Sequence, residues 1–204
     1  MKSSHPELAA PATSSRTALR RVVLLPPLAI SDGSLETLKW LALTLMTLDH
    51  VNKYLLNDSV PALFDAGRIA MPLFAIVLAC NLARPGAKQS GAYWRVMKRL
   101  ALAGAAATVP FVALGGLGWG WWPLNIMVTF LLATAAMHLI ERAGAVNRVA
   151  AFGLLLIGGF FVEFWWAALA ILMATWSYSN TPNWSALLLG LAGLASLQFV
   201  NHNA

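Results

Sequence analysis

Four ionisable side chains stand in long apolar stretches of this chain. They are Asp49 and His50 in LKWLALTLMTLDHVNKYLL (38–56), Arg68 in AGRIAMPLF (66–74) and Glu163 in FFVEFWWAALAIL (160–172). A histidine with a carboxylate nearby is the usual arrangement for a general base held in one tautomer. Asp49 and His50 are sequence neighbours, so on a helix they point about 100° apart and cannot form a simple dyad with each other. One can do chemistry while the other holds a neighbouring helix. Lys53 lies three residues after His50 and four after Asp49, on the same helical face as each, and Met46 precedes them by one turn.

Each of these residues also has a plainer reading. Asp49 can neutralise Arg68 or Lys53 in a buried ion pair. His50 can bond to an adjacent helix. Glu163, beside two tryptophans, can reach interfacial water, and Lys53 can snorkel outward. Asn125, in WWPLNIMVTF (121–130), can cap a helix after Pro123. Cys80 reads as a small core residue. His138 reads as a dipole partner near a helix end, Pro72 and Pro110 as helix kinks, and Gly158 and Gly159 as points of close helix approach.

The elements that must hold these groups follow from composition. Of 204 residues, 59% are hydrophobic and 11% charged, against about 25% charged in soluble domains. That leaves too little polar surface to coat a soluble globule, which excludes a soluble enzyme, and disorder is excluded outside the N-terminal region. One cysteine excludes a disulfide framework and a Cys-based zinc cluster. The four histidines are scattered without metal-ligand spacing, so no metal site is expected. No HExxH, GxSxG, P-loop or GxGxxG motif is present. The net charge of +6 is read as Lys and Arg gathered in cytoplasmic loops, not as a nucleic-acid surface.

The predicted fold is therefore all-α, a polytopic transmembrane helix bundle of about six or seven spans with the N-terminus cytoplasmic. Residues 1–34, carrying Arg16, Arg20 and Arg21, read as a basic mobile tail with an interfacial segment, and 35–204 as the transmembrane domain. The run VVLLPPLAI (22–30) is short and broken by Pro26 and Pro27, and no A-x-A site follows it. It therefore reads as interfacial rather than as a signal peptide. Ser34 is the expected first N-cap, with Thr37 in the first turn. Spans are expected at 35–56, 66–83, 95–114, 123–140, 148–163, 165–178 and 184–201, the fifth and sixth alternatively forming a tight re-entrant pair. Arg84, Lys88, Arg95, Lys98 and Arg99, then Arg142 and Arg148, mark the cytoplasmic side. Trp119, Trp121, Trp122, Trp165 and Trp166 mark an aromatic belt on the other.

Depth then groups the chemistry. At 1.5 Å per residue Asp49 lies roughly 21 Å from the start of its span, in the outer half. Arg68 and Asn125 begin inward-running spans and Glu163 ends an outward-running one, so loop charge alone brings Asp49, His50, Arg68, Asn125 and Glu163 to one level. Intramembrane ionisable groups cost roughly 2.5–3.5 kcal/mol each and default to a functional reading.

The Asp-His pair late in the first span, Gly67-Arg68 opening the second and Pro72-Leu73-Phe74 one turn on resemble the TraX family, nearest to its TrbP-type members. Tyr93, Arg99, PLNIM (123–127) and VEFWW (162–166) agree with the same pattern, over roughly residues 33–201. The resemblance implies an inner-membrane acyltransferase of plasmid conjugation that takes acetyl-CoA from the cytoplasm and modifies a pilin subunit on the outer side. It implies His50 as catalytic base or acyl carrier, Asp49 as its electrostatic support, and Arg68 as oxyanion or phosphate partner. Asn125, Glu163 and Lys53 are then candidate substrate contacts, and Arg95, Lys98 and Arg99 candidate contacts to the cofactor's phosphates. Family members commonly continue into a helix pair with a Tyr-Pro-x-His-type motif, which this sequence, ending in Asn201-His202-Asn203-Ala204, does not contain. Two other functions fit the residues: a non-enzymatic membrane subunit of the pilus assembly apparatus, and a proton-coupled transporter. The transporter reading lacks repeat symmetry and paired broken helices.

Overall fold

The computed structural model describes residues 25–113 and 122–202. The tail residues 1–24, with Arg16, Arg20 and Arg21, and the outer-belt positions Trp119 and Trp121 lie outside the described residues. Eight helices appear among the described residues: α1 Asp32–Leu55, α2 Pro61–Gly67, α3 Ala70–Leu82, α4 Ala92–Ala113, α5 Ile126–Glu141, α6 Ala145–Gly158, α7 Trp165–Asn180 and α8 Trp184–His202. The β-type pairing among these residues is a single isolated bridge, Leu124 with Val162. The Pro61–Leu82 run is the one described helical stretch both long and apolar enough to cross a membrane on length and composition. The apolar helices α5, α6 and α8 are shorter.

Three helix boundaries differ from the sequence reading. The N-cap of α1 is Ser31, not Ser34: the Ser31 hydroxyl accepts from the Ser34 backbone N–H at 3.1 Å, and Asp32 in the first turn meets the positive end of the helix. The second segment begins at Pro61 and is interrupted between Gly67 and Ala70. Pro72 sits in the first turn of α3, where it lacks the N–H that would bind the Arg68 carbonyl four residues back, and its ring crowds that carbonyl. Arg68 and Ile69 keep right-handed helical backbone angles, so the Pro61–Leu82 run carries through, and Pro72 interrupts its hydrogen-bond ladder without ending the helix. Finally, α6 stops at Gly158, so Glu163 belongs to a non-helical turn over residues 159–164 and not to a helix end.

The bundle is organised around α3 and α7, which pack on each other and carry buried residues on every side, Ala75, Ala79, Ala168 and Ala174 among them. Such all-round apolar helices belong at the centre of a bundle, and small side chains let the backbones approach closely. Around this pair, α1 packs on α3, α8 on α7, and α5 on α7, while α4 and α6 flank α5. The α6–α7 pair is therefore not a tight re-entrant hairpin, because α6 lies on the outer flank of α5. Gly158 seats Leu132 of α5, and a Cβ there would lie 2.4 Å from a Leu132 methyl. Gly159 likewise leaves room for the Trp166 ring.

The basic end of the bundle is tied together by named contacts. Arg84 pairs with Asp32, and Lys88 reaches the Glu141 carbonyl and, at 3.8 Å, its carboxylate. Tyr178 donates to the Pro26 carbonyl at 2.9 Å and so anchors the segment before α1. Deeper in, the buried Tyr93 hydroxyl donates to the Leu82 carbonyl at 3.0 Å and accepts from the Trp176 indole at 2.9 Å, linking α3, α4 and α7. Tyr93→Phe strands both partners in a dry core, and the expected cost is about 1–3 kcal/mol. A lowered denaturation midpoint in detergent checks this; an unchanged midpoint counts against it.

Candidate functional site: a cavity between α1, α3, α4 and α5

At the end of the bundle away from the basic loops, a cavity of about 320 Å³ is lined by Met46, Asp49, His50 and Tyr54 of α1, with Asn125 and Glu163 from the facing side. Gly67, Ala70, Met71 and Phe74 complete one wall, and Ala107 and Pro110 of α4 another. Four of the five polar residues grouped by depth thus share one cavity, and the fifth, Arg68, follows the lining residue Gly67 in sequence. Alternation of helix direction explains the grouping: α1 and α4 end here, while α3, α5 and α7 begin here.

His50 is held by its own helix. Its Nδ1 lies 2.8 Å from the Met46 carbonyl. A carbonyl only accepts, so Nδ1 carries the proton and Nε2 keeps the basic lone pair. The Asp49 carboxylate stands 4.0 Å from Nδ1, too far for a hydrogen bond. The Asp49 carboxylate therefore makes no hydrogen bond to His50, and the Met46 carbonyl fixes the tautomer. The His50 side chain is 59% exposed and Asp49 29%, so the imidazole stands at the mouth and the carboxylate farther in. Tyr54, one turn on, places its ring 5.9 Å from the imidazole.

Asp49 is seated on Gly67. A Cβ on Gly67 would lie 2.4 Å from the Asp49 Cβ and 2.7 Å from Oδ1, so only glycine lets α1 and α2 approach this closely. Arg68, just beyond, stacks on the Phe64 ring with its Cζ 4.0 Å from the ring centroid. The positive charges of Arg68 and Lys53 act on both carboxylates of the site, Asp49 and Glu163. Lys53 itself lies over the Tyr54 ring at 5.6 Å.

Glu163 is positioned by irregular backbone that satisfies itself. Leu124 donates to the Phe161 carbonyl at 2.7 Å and Glu163 to the Leu124 carbonyl at 2.9 Å. Thr129 adds a bond to the Glu163 carbonyl at 3.1 Å. Non-helical backbone inside a helical bundle persists only when paired in this way. Asn125 is buried and caps α5: its Oδ1 accepts from Met127 N–H at 3.1 Å, and its Nδ2 donates to Gly104 at 2.9 Å and Thr108 at 3.0 Å. Those bonds join α4 to α5 and give Asn125 a structural part in the cavity wall. The α4 partners Gly104 and Thr108, and the Met46 carbonyl that orients His50, carry no motif signal; only the i,i+4 spacing of Met46 and His50 points to one of them.

Arg95, Lys98 and Arg99 are not brought to this cavity. They are exposed on the first two turns of α4, and Arg95 precedes the lining residue Pro110 by fifteen positions, about 22 Å along the helix. Lys98 lies over the Trp94 ring at 5.2 Å, and Arg95 donates to the Ser90 carbonyl. The residues expected to hold cofactor phosphates and the residues expected to do chemistry thus stand at opposite ends of α4.

No solved structure matches the chain. Protein TraX of Escherichia coli (strain K12) is 33% identical over 129 residues, 63% of this chain and 49% of that protein. A second Protein TraX from Escherichia coli is 31% identical over the same coverage. The chain spans about half the length of these curated relatives. The family described as TraX protein matches residues 34–202, a stretch that holds every residue of the cavity, and the chain belongs to the TraX family.

Proposed function

We propose that this chain is a multi-pass inner-membrane protein of plasmid conjugation that transfers an acyl group to a pilin subunit at the outer side of the membrane. The observation that carries the catalytic part is the His50 Nδ1 bond to Met46, which leaves Nε2 as the basic nitrogen at the mouth of a cavity with two carboxylates. In this reading Nε2 takes the proton released as an acceptor amine attacks the acyl carbonyl. Asp49 stabilises the imidazolium that forms, and Arg68 brings positive charge to the end of the bundle where oxyanion character develops. Acetyl-CoA, the donor the family resemblance implies, supplies the acyl group as a thioester: the new N–C bond replaces its C–S bond, and the departing thiolate takes the proton held at Nε2 and leaves as the thiol. Arg95, Lys98 and Arg99 hold its phosphates only if the donor is stretched along α4.

The membrane part of the proposal is supported by the bundle's surface. Leu102, Val109, Val146, Val149 and Phe199 are exposed large apolar side chains on peripheral helices, a pattern that in water would be an aggregation hazard. Trp40, Trp94 and Trp184 lie toward the basic end and Trp122, Trp165 and Trp166 at the other, as in aromatic belts at two interfaces. Intact mass spectrometry of the plasmid pilin, produced with and without this protein, tests the reaction. A mass gain of one acyl group with the protein is the expected result. Identical masses in both overturn it and favour a non-enzymatic role in pilus assembly.

A further inference from the structure

The cavity has a mouth whose position says how an acceptor reaches it. Among its lining residues the exposed ones are His50, Tyr54 and Pro110, while Ala70, Met71 and Asn125 form a buried floor. The mouth therefore lies between α1 and α4, two helices that pack on other partners, α1 on α2 and α3 and α4 on α5. The stretches that flank the gap carry no charge: WLALTLMTL (40–48) leads up to Asp49, and LALAGAAATVPFVA (100–113) runs the inner length of α4. Exposed, uncharged helix faces of this length are suited to hydrocarbon and not to water. His50 lies five residues inside the end of α1, about 8 Å from it, which sets the mouth within the apolar zone near its outer boundary.

From this we infer that the site opens sideways into the bilayer between α1 and α4, close to the outer interface. The inference rests on the membrane reading above, and it adds the route: the cavity is entered within the membrane plane and not through water. Site-directed spin labelling of the full chain in liposomes tests it. Cys80, the one cysteine, is first replaced by serine, and nitroxides are placed by Tyr54→Cys and Pro110→Cys at the mouth and by Leu102→Cys, 74% exposed, as a lipid reference. Accessibility is read to molecular oxygen, which partitions into lipid, and to a nickel–EDDA chelate, which stays in water. Oxygen accessibility exceeding chelate accessibility at Tyr54, Pro110 and Leu102 is the expected result. Chelate dominance at Tyr54 and Pro110 with oxygen dominance at Leu102 overturns the lateral mouth and leaves the membrane reading standing. Inaccessibility to both reagents at Tyr54 and Pro110 overturns it as well, and chelate dominance at Leu102 overturns the membrane reading itself.

Discussion

His50→Ala is expected to slow pilin modification by about 10²–10⁴-fold, the usual worth of a positioned general base. The protein should still insert and fold, because the His50 side chain is mostly exposed and bonds to its own helix at Met46. The measurement is the rate of the pilin mass shift, paired with gel filtration of the purified variant. A wild-type rate removes His50 from the mechanism. Asp49→Asn provides the internal contrast. Its carboxylate stands 4.0 Å from Nδ1 and makes no hydrogen bond to it, so neutralising it should slow transfer less than removing the imidazole. Should Asp49→Asn prove the more damaging of the two, the Met46 carbonyl is not what orients His50.

Gly67→Ala is expected to be strongly destabilising even though alanine favours helices over glycine by up to about 1 kcal/mol. The added Cβ would lie 2.4 Å from the Asp49 Cβ, a distance that carbon atoms do not tolerate, and relief requires α1 and α2 to part. Overpacking of this kind costs about 1–3 kcal/mol. Because the nearest atom is the Asp49 Cβ, Asp49→Ala should not rescue the variant, whereas Asp49→Gly should. A double-mutant cycle on denaturation midpoints in detergent reads the difference. Equal, additive losses in both cycles would show that Gly67 and Asp49 are not in contact.

Much of the candidate site was legible because its members are fixed by counting along helices. Apolar run lengths place the helices, and alternation of direction sends Asp49, His50, Arg68, Asn125 and Glu163 to one end. Local rules also foresaw the capping by Asn125 and the close approaches at Gly158 and Gly159. The same rules misplaced the cap of α1, where SDGS offers two serines three apart and both hydroxyls take part, 2.9 Å from each other. They also overran the end of α6, because FFVEF is as apolar as the helix before it and only its pairing with residues 122–125 shows that it turns.

Sequence alone determined the helical class, the order and approximate extent of the helices, and the level at which the polar side chains sit. Each of these depends on spacing within one segment and on the length of an apolar run. Tertiary structure decided that α3 and α7 form the centre, that Gly104 and Thr108 hold Asn125, that Gly67 seats Asp49, and that the cavity opens between α1 and α4. Those are relations between neighbours around the bundle axis. Helices that are apolar on nearly every face present similar surfaces to one another, so periodicity cannot rank their possible partners, and only the fit of particular small and large side chains selects the arrangement.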